Sequence, residues 1–247
     1  MKNPLISLHL MQSLSPVSIE IGNPVYALSN GLIAQLDAPD QALLLRRAKM
    51  VLLHAGDLLS TPDATSSQIY FPLSGAIALY AGVLGKASSM SSGLAVGLIG
   101  AEGAAGLQAA LGFGAGHLQL IVQSPGQAWV VEGAVAQRLV QRRRAILLQF
   151  SRYLWTVFDN IAALASRPYN QDVKVRLAHW LLLSAQRCAP DPLTLTHAHI
   201  AHMLGVRRAS VSIAAREMKL KRYISYSRGH IALLNVAALQ ALAKVVF

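Results

Sequence analysis

Two adjacent arginines, Arg207 and Arg208, lie in a segment whose spacing gives them a chemical use. In the frame that starts at His197, Gly205 takes the turn, where a positive φ suits glycine best. Ala201 is small enough to let two helices approach, and Ile200, Leu204, Val206, Val211 and Ala214 fall where side chains must be buried between them. Seven constrained positions therefore agree with a helix-turn-helix. Its second helix turns Arg207, Arg208, Ala209, Ser212, Ile213 and Arg216 outward. One arginine there can fork onto N7 and O6 of a guanine in the major groove while the other holds a phosphate. A solvated helix face would explain an isolated arginine pair; the surrounding frame is what favours DNA.

Other chemistry finds weaker footing. His199 and His202 are spaced for a metal, but with His197 they read more simply as a polar helix face toward DNA. Glu102 and His117 suggest an acid–base pair, yet no nucleophile or third orienting group accompanies them, so no enzyme is expected. The glycine-rich region 97–116 is neither a phosphate loop nor a dinucleotide fingerprint: Gly85-Lys86 is followed by Ala87, and GFGAGH ends one residue wrong. The single cysteine, Cys188, excludes an intrachain disulfide, a four-cysteine zinc site and a cysteine-held iron–sulfur cluster. No metal and no cofactor is expected.

The elements that would position the arginines can be read along the chain. Residues 1–29 form a weakly patterned lead. The segment NGLIAQLDAPDQALLLRRA, from Asn30, reads as two short helices, with Asp37 as N-cap and Pro39 in the first turn of the second. Between residues 49 and 132, the runs KMVLLH, QIYFPL, AIALYAG, LAVGLIG, LQLIVQS and QAWVVE alternate with Gly, Pro, Ser and Asp, as in a small antiparallel barrel or sandwich. From Ala134 to about Ser166 the period is helical. Leu139, Ile146, Phe150, Tyr153, Val157 and Leu164 form one apolar stripe, interrupted by Arg143 and Asn160; Leu147, Leu154, Phe158, Ile161 and Ala165 form a second. Two wide stripes call for two partners, so one is expected to cover the β-domain and the first to meet a second copy of the chain, with Arg143 and Asn160 setting register; the alternative is that both stripes are buried inside one monomer. Trp129, Trp155 and Trp180 read as core.

Arg167-Pro168 ends that helix. Another amphipathic helix follows, capped near Asn170 or Asp172, then a turn at APDPL. Thr196 is the expected N-cap of the first helix of the DNA unit. KRYISYSRGHIALL gives two strands around Arg228-Gly229, a wing, and VAALQALAK a closing helix.

The chain has 247 residues, of which 53% are hydrophobic, enough for a sizeable core. Its net charge of +11 suits a polyanion, nucleic acid before an anionic membrane. The N-terminus lacks the marks of a signal peptide, and Gly, Gln, Ser and Pro interrupt the uncharged stretch 103–131, so neither export nor a membrane span is expected. A cytoplasmic location fits the lone cysteine.

This order of elements resembles the Crp/Fnr superfamily of bacterial transcription regulators. YFPLSG (70–75), VGLIGAEGAAGL (96–107), VKVRLAHWLL (173–182), LGVRRASVSIAA (204–215) and YSRGHIAL (226–233) carry the resemblance. It implies an α+β chain: a β-roll like a cyclic-nucleotide-binding jelly roll over residues 30–133, a dimerisation helix over 134–167, and a winged helix-turn-helix over 168–247. It also implies a homodimer on palindromic double-stranded DNA, with RNA polymerase and a small effector as further candidate partners. DNA contacts carry over to Arg207, Arg208, Ala209, Ser210 and Ser212, joined by Arg216 and Arg228; Arg208 would read a base and Ser210 hold a phosphate. Ile213 stands where some relatives use a second base-reading arginine. The effector pocket would involve Glu102, Leu107 and His117. Relatives that bind cyclic nucleotides carry Gly-Glu for the ribose and Arg-Ser or Arg-Thr for the phosphate. Here Leu107 follows Gly106, and Gly116-His117-Leu118 stands near the second motif, which implies a degenerate pocket without tight cyclic AMP or cyclic GMP binding. The junction before the wing, Lys221-Arg222-Tyr223, lacks the glycine usual there, so a strained or shifted C-cap is expected. The alternative is a small-molecule-binding or protein-interaction module with only weak, non-specific DNA contact.

Overall fold

The computed structural model describes residues 30–60, 68–82, 93–114, 116–165, 172–188 and 193–243. The lead at 1–29, the Gly85-Lys86 segment, the Arg167-Pro168 stop and most of the APDPL turn lie outside the described residues.

Two short helices open the chain, α1 (Gly31–Ala34) and α2 (Ala38–Leu45). The side chain of Asn30 caps the first, and Asp37 caps the second by accepting from the Asp40 N–H at 2.8 Å. The six apolar runs are all strands: β1 (Lys49–Leu53), β3 (Gln68–Pro72), β4 (Ala76–Gly82), β5 (Gly93–Ile99), β6 (Leu118–Ser124) and β7 (Gly126–Glu132). The three-residue β2 (Leu58–Ser60) joins them. They form two antiparallel sheets, ordered β1-β7-β3 and β2-β6-β4-β5. Ile77, Leu79, Leu120, Val122, Ala128 and Val130 fill the space between the sheets. This is a β-roll, the class of sandwich that the alternating runs predict.

The stretch expected to be one helix is two, α3 (Gly133–Arg142) and α4 (Arg144–Ala165). Arg143 leaves helical geometry at φ −126°, ψ 95°. Its Nε donates to Oδ1 of Asp40 at 2.5 Å, and the Asp40 side chain is wholly buried. A buried carboxylate needs a partner, and Arg143 turns out of the helix to be one. Arg143 therefore does not set register in a seam between two copies.

The face of α4 also corrects the sequence reading. Ile146 and Phe150 are fully buried, with Phe150 tilted against Phe71 at 6.0 Å between ring centroids. Tyr153, Leu147 and Leu154 pack on that same core, as does Leu139 from α3, while Val157 and Ile161 pack on the roll interior. Both predicted stripes thus lie largely on the chain's own roll. Leu164 is half-buried and Asn160 exposed. What faces outward is Leu148, Trp155 (67% exposed) and Phe158 (60%). Trp155 is not core, Trp129 is half-buried, and Trp180 is core as expected.

The C-terminal unit comprises α5 (Val173–Arg187), β8 (Leu193–Thr194), α6 (His197–Leu204), α7 (Arg208–Leu220), β9 (Ile224–Ser227), β10 (His230–Leu233) and α8 (Val236–Ala243). Asp172 caps α5 and Thr196 caps α6, as their positions predict. β8, too short to read in sequence, pairs with β10 and makes the wing a three-stranded sheet ordered β8-β10-β9. The core of this unit is shared with the outer face of the roll, where Ala76, Ala78, Tyr80, Ala95 and Leu98 pack against α5 and α6.

Candidate nucleic-acid interface

Gly205 occupies the left-handed region at φ 61°, ψ 38°, and turns the chain from α6 into α7. Ile200, Ala201, Leu204, Val211 and Ala214 are buried between the helices, and Val206 is half-buried. Lys174 of α5 bonds Glu217 of α7 at 2.7 Å, and Arg176 donates to the carbonyl of Leu204. α5 thus holds the turn from behind.

With its inner face fixed, α7 presents its outer face to solvent. Arg207, Arg208, Ala209, Ile213 and Arg216 are exposed, and Ser210 is half-buried. Arg207 is the N-cap residue, in extended geometry, and no side chain caps the helix start. No side chain competes for the start of α7, where the Ser210 N–H bonds the Arg207 carbonyl at 3.0 Å, and the helix dipole favours an anion there. The surrounding charge agrees: residues 172–243 hold ten Lys or Arg against three Asp or Glu. The exposed Lys219, Lys221, Arg222 and Arg228 extend the basic surface to the wing.

The wing turn is made by Arg228 and Gly229, both at positive φ, 46° and 84°. This is the backbone of a two-residue hairpin, and arginine is an unusual occupant of its first position. Arg222, at the junction without glycine, also takes positive φ, 56°. The expected strain is real and sits on that residue.

Two sequence expectations change here. Ser212 does not point freely outward: its hydroxyl donates to the Arg208 carbonyl at 3.1 Å and lies 3.0 Å from Nδ1 of His197. Two of the three histidines of α6 are engaged by ring contacts within the chain. His197 stacks on Tyr226 of the wing at 4.2 Å, and His202 packs on Tyr80 of the roll at 5.3 Å. Burial lowers the pKa of all three, with Arg208 adding to the shift at His197 and His202 adding at His199. His197 joins α7 and the wing, a role that needed the wing's position to be seen.

The residues expected around an effector do not converge. Leu107 is buried core, His117 is exposed, and Glu102 pairs with Arg187 of α5. Among the described residues, no group of three His, Cys, Asp or Glu could hold a metal ion, and no helix is long and apolar enough to cross a membrane.

Residues 175–242 match the family model of the Crp-like helix-turn-helix domain. The chain has the Crp/Fnr fold. Similar solved structures include a protein described as a transcriptional regulator of the crp/fnr family from Eubacterium rectale, at TM-score 0.65 and 16% identity, covering 87% of this chain and 98% of that one. FixK2 from Bradyrhizobium japonicum matches at TM-score 0.67 and 15% identity, covering 81% and 99%. The c-di-GMP responsive global regulator CLP from Xanthomonas campestris matches at TM-score 0.62 and 16% identity, covering 80% and 99%. A comparison with curated protein sequences gave no match. In the Crp/Fnr fold, then, the exposed basic face of α7 belongs to the helix-turn-helix that the family model covers.

Proposed function

We propose that this Crp/Fnr-fold protein is a sequence-specific DNA-binding transcription regulator that acts as a homodimer on a palindromic site. The observation that carries this reading is the uncapped, exposed start of α7, where Arg207 and Arg208 stand together on a helix held from behind. Arg208 reads a base, Arg207 and Ser210 hold phosphates, and Arg216 and Arg228 add backbone contacts. Ala209 is the small residue that admits the groove wall. Ser212 acts from within, by fixing His197 and the helix start. Ile213, 61% exposed, meets a thymine methyl where an arginine would have met a guanine.

The dimer forms through α4. The exposed Leu148, Trp155 and Phe158 supply its apolar seam, in place of the stripe that the roll covers. Residues 30–133 then serve as platform, 134–167 as dimer helix and 168–247 as reader. Regulation is independent of cyclic nucleotides: Glu102 is already paired, Leu107 is core, and no arginine replaces the missing phosphate partner. Calorimetric titration with cyclic AMP and cyclic GMP checks this, and micromolar affinity for either would overturn it. Selection from a pool of random duplexes tests the reading as a whole. It should return an inverted repeat with half-sites about one helical turn apart; a pool that stays random would leave only a weak, non-specific contact.

A further inference from the structure

The roll meets α5 through polar contacts that the DNA reading does not account for. Gln123 on β6 is 3% exposed, and α5 uses both ends of its amide. Trp180 Nε1 donates to its Oε1 at 3.1 Å, and its Nε2 donates to Ser184 Oγ at 3.1 Å. The next residue, Ser124, donates to Cys188 Sγ at 3.3 Å. On the loop after β5, both carboxylate oxygens of Glu102 accept from the Gly100 N–H at 3.1 Å, and one pairs with Arg187 at the end of α5. The backbone is cleared for this approach. A Cβ on Gly100 would strike the Arg187 carbonyl, and one on Gly103 would strike the ring of Tyr153 from α4. Roll loop, α4 and α5 therefore meet at one point.

These contacts differ in kind from the apolar packing around them. The small Ala76, Ala78 and Ala95 of the roll would let α5 and α6 settle at several angles, because apolar burial is non-directional. A buried amide is not so tolerant. Rotating α5 against the roll would strip Gln123 of its partners while it stays buried. Glu102 adds a second fixed point, on the loop where an effector carboxylate partner would otherwise be sought.

We infer that Gln123 and Glu102 are positioning residues for DNA reading, which lock the helix-turn-helix unit onto the roll in one orientation without an effector. The inference rests on the DNA-reading function proposed above. In a dimer, one orientation of each unit means one separation of the two recognition helices. The lock therefore sets which half-site spacing is read, and a free unit would accept several.

The test uses the full chain and a series of palindromes, taken from the selected site, whose spacer is lengthened or shortened by one or two base pairs. Wild-type protein should prefer one spacing sharply. Gln123→Met keeps the volume but removes both hydrogen-bonding ends, and Glu102→Gln removes the charge that holds Arg187. Each should flatten the spacing preference by about tenfold or more while binding to random duplex stays unchanged, a split that simple destabilisation does not produce. The charge swap Glu102→Arg with Arg187→Glu should recover part of the preference. Because Gln123→Met is a core change, cooperative melting is checked first; if it fails to fold, Glu102→Gln and the swap decide. Wild-type spacing preference in the folded variants would overturn the inference and leave the regulator reading intact. Tighter binding to the palindrome would also overturn it, since the contacts would then restrain reading. If wild-type protein prefers no palindrome, the regulator reading falls and the inference with it.

Discussion

If the proposed dimer forms through α4, replacing Trp155 with alanine should take it apart and leave the protomer folded. The side chain is 67% exposed on α4, beside Phe158 at 5.3 Å between ring centroids, on the face away from the roll. A tryptophan of about 250 Å² then leaves about 170 Å² to solvent. Covering all of it would be worth about 4 kcal/mol per protomer at ~25 cal/mol/Å². In a two-fold interface each substitution counts twice, so covering half that area makes Trp155→Ala cost about 4 kcal/mol, or about a thousandfold in the dimer dissociation constant. Sedimentation equilibrium over a range of protein concentrations reads this directly. Binding to a full palindrome should weaken with it, while binding to an isolated half-site should not. An unchanged dimer constant would refute the placement of the seam on Leu148, Trp155 and Phe158. A control on the other face, Phe150→Ala, should instead lower the melting temperature of the protomer, by about 3 kcal/mol of stability or more.

Three further expectations follow from the geometry. Arg143→Met leaves the buried Asp40 carboxylate without its guanidinium and should cost about 3 kcal/mol in thermal unfolding; adding Asp40→Asn should restore most of it, and no loss in the single variant would contradict the structural role given to this pair. Arg222→Gly relieves a positive φ and should raise the urea midpoint by the equivalent of about 0.5 kcal/mol, whereas a fall would mean that the arginine side chain matters more than its backbone. His197, His199 and His202 are held below the ordinary histidine value near 6.5, chiefly by burial, so the unfolded chain takes up protons first. Stability from these residues is fully present above that value and is lost as pH falls below it: the urea midpoint should be level from pH 8 to 7 and drop toward pH 5. A His197→Gln variant should drop less steeply; an equal slope would remove His197 from the account.

Much of the fold was legible because it is local. Asp37, Asp172, Thr196 and Gly205 cap or turn helices through neighbours two to four residues away, and each does so as its type suggests. Six strands could be read from apolar runs punctuated by Gly, Pro and Ser, while β2 and β8, with three and two residues, are too short to leave a pattern. The failures share one cause: the deciding partner is distant in sequence. Arg143 breaks the long helix for Asp40, 103 residues earlier. The stripe Ile146, Phe150 and Tyr153 has the right period for a dimer seam, but period alone cannot say whether a partner or the chain's own Phe71 covers it. Glu102 was expected near an effector, and nothing in its vicinity points to Arg187. In the candidate interface, the outward set Arg207, Arg208, Ala209, Ile213 and Arg216 could be read from helical phase, whereas the inward turn of Ser212 depends on His197 across the helix pair.

The most direct measurement is a fluorescence-anisotropy titration of the selected palindrome and of random duplex, at several salt concentrations, without any nucleotide present. A Crp/Fnr-type reader held in one orientation should prefer the palindrome by about a thousandfold or more, with affinity on both duplexes falling as salt rises. Arg208→Met should remove about 1–3 kcal/mol of that preference and leave binding to random duplex nearly as it was. Equal affinity on both duplexes would contradict sequence-specific reading by α7; a preference that appears only when cyclic AMP or cyclic GMP is added would contradict the independence from these nucleotides.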